Sequence, residues 1–303
     1  MALPPADPLS ASIELADVDR FATLFRRTSG HPSAEQVQRE YLDPGSYGVR
    51  VFTPDRIRDA RHLAATIAAN PDLYARALDT CLPIVRGTTA QLRATYLALH
   101  GLLPERQLPR IYLVMGANNS GGTAGPGAQV LGLEVLCRMA DTPDRLREIM
   151  SGIYAHETVH TLQDEPEAIR QAGPLLGSVL IEGAADFIAG LVTGRLMDPA
   201  RAAWAMPRRA ALWRQFEADL VTTRQAGQNI KRGTAAGDAL HRWVGNYGSA
   251  PQGWPGELGY WLGQDMWQRW YDRQPNKPAA IRAMLALDDP ASVLEQGRFR
   301  PAR

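Results

Sequence analysis

The pentapeptide His156-Glu157-Thr158-Val159-His160 constrains this 303-residue chain more than any other segment. Side chains at i and i+4 meet only on a helix, where they share one face about one turn apart. The flanking residues support that helix. Thr142-Pro143-Asp144 supplies an N-cap, a proline at the first helical position and an acid in the first turn. Leu146, Ile149, Met150 and Ile153 then form an apolar stripe, and the next steps of that stripe fall on His156 and His160. The two imidazoles therefore stand at core positions. Two imidazoles at this spacing can share a metal ion, with Glu157 placed to take a proton from a water held there. The plain alternative is a pair of core histidines satisfied by hydrogen bonds.

A hydrolytic zinc ion takes three protein ligands and leaves a position open to water. The segment Ser178 to Val192 is a second apolar helix with two acids inside it, Glu182 and Asp186, at i and i+4. Burying carboxylates there costs several kcal/mol unless a cation or strong hydrogen bonds compensate. Glu182 as third ligand and Asp186 as acceptor for a ligand imidazole N–H would satisfy both. The small residues Gly183, Ala184 and Ala185 also allow a solvated face for the two acids.

With His156, Glu157, His160, Glu182 and Asp186 in place, the chain resembles the gluzincin metallopeptidases, in which HExxH is followed by a Glu-x-x-x-Asp helix. It resembles more closely the bacterial zinc-dependent proteases related to the gliding-motility lipoprotein GldB. The phrases that carry this are Tyr41-Leu-Asp-Pro-Gly-Ser, Asn118-Asn-Ser-Gly-Gly-Thr, His156 to Gln163, Glu182 to Ala189 and Gly259-Tyr-Trp-Leu-Gly263. The likeness runs from about residue 14 to the C-terminus. It implies one Zn²⁺ per chain on His156, His160 and Glu182, with Glu157 as general base and Asp186 orienting His156. Gluzincins place a Tyr or His donor against the oxyanion, and Tyr260 is the first choice for it here, followed by Tyr247 and His241. The substrate would be a peptide or protein.

The remaining composition narrows the classes. At 45% apolar residues the chain can bury a full core. A formal charge of +1 without runs of one sign gives no reason to expect nucleic acid or an anionic membrane as partner. No uninterrupted apolar stretch reaches the length of a membrane span. The opening residues lack the basic and apolar regions of a signal peptide, and residues 1–10 read as a disordered tail. Cys81 and Cys137 lie in apolar contexts without CxxC spacing and read as buried free thiols, a single disulfide being the alternative. Location stays open; relatives of the kind named are often exported, which favours periplasmic or secreted over cytoplasmic.

The expected fold is α+β and predominantly helical, zincin-like, with a small antiparallel sheet and the HExxH helix at the active site. Residues 11–303 would form one metallopeptidase domain in two lobes, with a boundary near 165–175. Helices are expected over 11–28, 34–42, 56–69, 71–86, 89–101 and 199–221, and near 256–273 and 279–287. Strands at 111–116 and 130–137 should pair as a hairpin around the Gly-rich stretch 118–127. Residues 225–256 read as a loop, either a rim over the substrate or a plain connector. Two rivals to the peptidase are a non-catalytic zinc-stabilised binding module of the cell envelope and a metal-free buried polar network. A purely structural zinc site has no need of Glu157. The polar network would have to satisfy four groups without a cation.

Overall fold

A computed structural model describes residues 4–299. The chain forms two compact units, Met1–Thr161 and Leu162–Arg303. It is mostly helical, with one small mixed sheet. Of the tail expected over 1–10, residues 1–3 lie outside the described residues; Ala6 makes an antiparallel bridge to Leu108.

The first unit opens with β1 (Ile13–Glu14) and α1 (Ala16–Arg27). Short helices follow: α2 (Ala34–Val37), α3 (Tyr47–Phe52), α4 (Ala60–Ala69), α5 (Pro71–Arg76), α6 (Leu82–Arg86) and the longer α7 (Thr89–Leu102). Wider π-helical turns interrupt the expected helices at Gln38–Leu42, Thr53–Ile57 and Ala77–Cys81. Pro83 explains the last of these, because its ring would crowd the carbonyl of Asp79 in a regular helix.

The sheet departs from expectation. Strands β2 (Arg110–Val114), β3 (Gly122–Gly125) and β4 (Ala128–Gly132) join β1 in the order β1-β2-β4-β3. β1 pairs with β2, and β2 with β4, in parallel; only β3 and β4 are antiparallel. The sheet is mixed rather than antiparallel because the Gly-rich stretch read as a turn contains the edge strand β3. The hairpin turn shrinks to Pro126-Gly127, with Gly127 at φ +68°. Residues 133–137, expected as strand, are the start of α8 (Leu133–Arg138), and all five are buried. A short, largely apolar run fits a buried strand or a buried helix equally well. After α8 comes α9 (Pro143–Leu162), which carries the HExxH residues and begins where expected, with Thr142 Oγ1 accepting the Arg145 N–H.

Cys81 and Cys137 form a disulfide, Cα to Cα 5.8 Å, instead of two free thiols. The fold brings the π turn before α6 against α8, a contact that a separation of 56 residues in sequence does not announce.

The second unit is helical: α10 (Glu167–Gln171), α11 (Pro174–Thr193), α12 (Pro199–Ala205), α13 (Arg209–Ala226), α14 (Ala235–His241), α15 (Leu258–Arg273), α16 (Lys277–Ala286) and α17 (Pro290–Gly297). The single helix expected over 199–221 breaks at a 3-10 turn containing Pro207. The segment 225–256 is not all loop, since α14 lies in it. α11 has the length and composition of a membrane span, yet 67% of its apolar window is buried within the fold, as in a core helix. No clear membrane span results. α11 and α15 pack through glycine. A Cβ on Gly183 would overlap the Gly263 backbone, and one on Gly259 would crowd Trp243 and Val179.

Candidate metal centre and its surroundings

His156 and His160 stand one turn apart on α9, as the spacing requires. Their Nε2 atoms are 3.0 Å apart and the rings are nearly perpendicular, at 86°. The buried back of the helix holds them there. Thr158 and Val159 are fully buried. The Gln129 amide on β4 donates to Thr158 Oγ1 at 2.6 Å and to the Tyr154 carbonyl at 3.2 Å. Tyr154 in turn shares a 2.7 Å hydrogen bond with Thr88. With the far side pinned in this way, the rotation of α9 is set, and so is the direction of both imidazoles.

Glu182 completes a group of three. Donor atoms of His156, His160 and Glu182 all lie within 4.8 Å of one another. Two ligand nitrogens about 2.0–2.1 Å from a tetrahedral zinc would be about 3.3 Å apart. The observed 3.0 Å therefore fits a shared cation with little adjustment. Two imidazoles and one carboxylate are also the donor types that zinc takes in hydrolytic sites. Without a cation, the two Nε2 atoms are compatible only if one ring donates its proton to the other.

Glu157 is 7% exposed and lies against the edge strand. A Cβ added at Gly122 would run into the Glu157 carboxyl group, its Cδ falling 2.7 Å away. Only glycine lets strand and carboxylate approach so closely. The strand register shows which peptide groups face outward. Gly132 N–H donates to the Gly121 carbonyl, and hydrogen-bonded pairs alternate along β3 and β4, so Gly122 and Ala124 turn their peptide groups to the unpaired side. Ser120 Oγ donates to the Gly122 carbonyl at 2.6 Å, which leaves Ala124 with the open edge.

Glu134, the spare acid of the second strand segment, faces polar partners. It is fully buried on α8 and accepts the N–H groups of Gly116 at 3.0 Å and Asn118 at 3.1 Å. Burial raises its pKa, and those amide bonds partly oppose the rise. The bonds shape the loop that leads from β2 into β3.

In the second unit Asp186 is buried on α11, one turn after Glu182. Arg201 of α12 places its guanidinium 3.8 Å from Asp186 Oδ2, 3.4 Å from Asp198 Oδ2 and 5.4 Å from the centre of the Tyr260 ring. Tyr260 and Asp186 thus border one cation. Before Tyr260, buried Glu257 accepts from Gly245 N at 3.0 Å and Asn246 N at 2.8 Å, and Asn246 Oδ1 accepts from Glu257 N at 2.7 Å. The end of the 225–256 segment is therefore a tied loop. His241 Nε2 lies 3.4 Å from Ser249 Oγ, and Tyr247 is exposed. Gly122, Gln129 and Arg201 were missed in the sequence. Gly122 sat in a stretch read as turn, and the other two are ordinary polar residues until the fold places them.

Comparison with protein-family profiles, curated proteins and solved structures finds no match for this chain.

Proposed function

We propose that this protein is a zinc-dependent peptidase of zincin-like architecture and gluzincin type, one Zn²⁺ per chain being held by His156, His160 and Glu182. The observation that carries the reading is the convergence of three zinc-type donors within 4.8 Å, on a helix whose intervening glutamate is buried beside an open strand edge. When bound, zinc would supply Lewis acidity to the scissile carbonyl and lower the pKa of a water towards about 7. The other roles belong to the chain. An extended substrate would pair its backbone with the outward peptide group of Ala124, adding a strand to β3. Glu157, next to that edge, takes the proton of the attacking water and hands it to the leaving amine nitrogen. Asp186 orients His156, and Tyr260 donates its hydroxyl to the oxyanion. The Cys81–Cys137 disulfide supports an oxidising location, periplasmic or secreted.

The test is hydrolysis of an unfolded protein such as reduced casein by zinc-loaded wild type and Glu157→Gln. We expect the variant to keep its zinc and lose about 10²–10⁴-fold in rate. Equal zinc with no hydrolysis by either protein would favour a binding module instead.

A further inference from the structure

α15, α16 and α17 border a half-open cavity of about 470 Å³, lined by Trp267, Trp270, Ala283, Asp288, Asp289 and Val293. Its volume lies in the range of small-molecule sites. The two indoles are 5.3 Å apart and at 89° to each other, edge to face, with Trp267 buried at the back and Trp270 partly exposed. Trp267 cannot swing away, because its indole N–H donates to the Leu180 carbonyl at 2.9 Å and the residue is buried. Asp288 and Asp289, in the turn before α17, also line it.

The charge on that turn decides the ligand. Asp289 is the N-cap of α17, its Oδ1 accepting the Ser292 N–H at 3.0 Å, so its charge faces the positive end of that helix. Asp288 is exposed and has no such engagement among the described residues. Ala283 lies in the last turn of α16, whose C-terminal carbonyls add negative potential. Of the nearby cations, Lys277 caps the Tyr271 ring at 4.4 Å and donates to its carbonyl, and Arg282 donates to the Pro278 carbonyl. Among the described residues, no basic side chain lines the cavity. Indole rings beside an exposed carboxylate are the chemistry that recognises an organic ammonium ion.

We propose that this cavity binds an alkylammonium group, a function separate from the metal centre and independent of the peptidase reading. The group could come from a free quaternary amine or from a lysine side chain of a peptide. The experiment follows the indole N–H NMR signals of Trp267 and Trp270 in the full chain. The titrants are choline, its neutral carbon isostere 3,3-dimethylbutanol, and N-acetyl-lysine methylamide. Saturable shifts at both indoles with choline or the lysine derivative are expected, with the neutral isostere at least about tenfold weaker; the tighter of the two cations identifies the source. Asp288→Asn should weaken the cations about 5–10-fold and leave the isostere unchanged. Asp288 is exposed, so this variant does not endanger the fold. Equal binding of choline and its isostere would overturn the proposal in favour of a plain apolar slot. Absence of saturable shifts with either cation would overturn it outright.

Discussion

Glu134 illustrates what one buried acid contributes. Its carboxylate holds two backbone N–H groups of the loop before β3, and burial lifts its pKa above the ordinary value of 4.5. A folded-state pKa above the unfolded one means that the folded protein binds the extra proton. The associated stability is full below about pH 4.5 and is lost as pH rises through the raised folded value. Relative to Glu134→Gln, wild type should therefore lose stability on going from below pH 4.5 to pH 8, in urea unfolding at each pH. A constant difference across that range would show that burial does not shift Glu134. At this scale the sequence was most legible where chemistry and spacing coincide, as at His156, Glu157, His160 and Glu182. Gly122 was illegible because its role is the absence of a side chain where Glu157 needs the space.

At the scale of elements, β3 makes a testable claim. Its outward Ala124 N–H faces no other strand among the described residues. Proline is tolerated at such an edge position because no ladder bond to β4 is lost. Ala124→Pro should fold, keep its metal and raise KM for long peptide substrates by about tenfold, roughly the value of one hydrogen bond of 1.4 kcal/mol. Unchanged KM would place the substrate elsewhere. Helices with caps and stripes were readable: α9 starts at its Thr142 cap, and α11 ends at Gly194 in the left-handed region, φ +69°. The sheet was not, because parallel pairing of β2 with β4 depends on contacts distant in sequence. The four-residue strand Gly122–Gly125 also carries neither β-branched alternation nor bulk beyond Thr123. The break at Pro207 could have been foreseen from proline alone.

At the scale of the whole molecule, the disulfide is a constraint separate from the proposed metal site. A bridge across 56 residues of sequence removes about 4 kcal/mol of unfolded-state entropy. Cys81→Ala with Cys137→Ala should lower the stability of the first unit by that order, seen as a shifted denaturant midpoint under oxidising conditions. Wild type under reducing conditions should match the variant. Identical midpoints for oxidised wild type and the double variant would contradict the bridge. The cysteine pairing was beyond sequence reasoning, since two apolar contexts describe a buried thiol and a buried bridge alike. The grouping of His156, His160 and Glu182 was within reach, since two carboxylates in an apolar helix demand a partner.

The central claim is that His156, His160 and Glu182 hold one zinc ion, and elemental analysis of protein purified without chelators tests it most directly. The account predicts about one zinc per wild-type chain, with a sharp fall in Glu182→Ala and no fall in Glu157→Gln. Wild type that takes up no zinc even after zinc is added back would contradict it, and the two imidazoles would then stand as a hydrogen-bonded pair in the core.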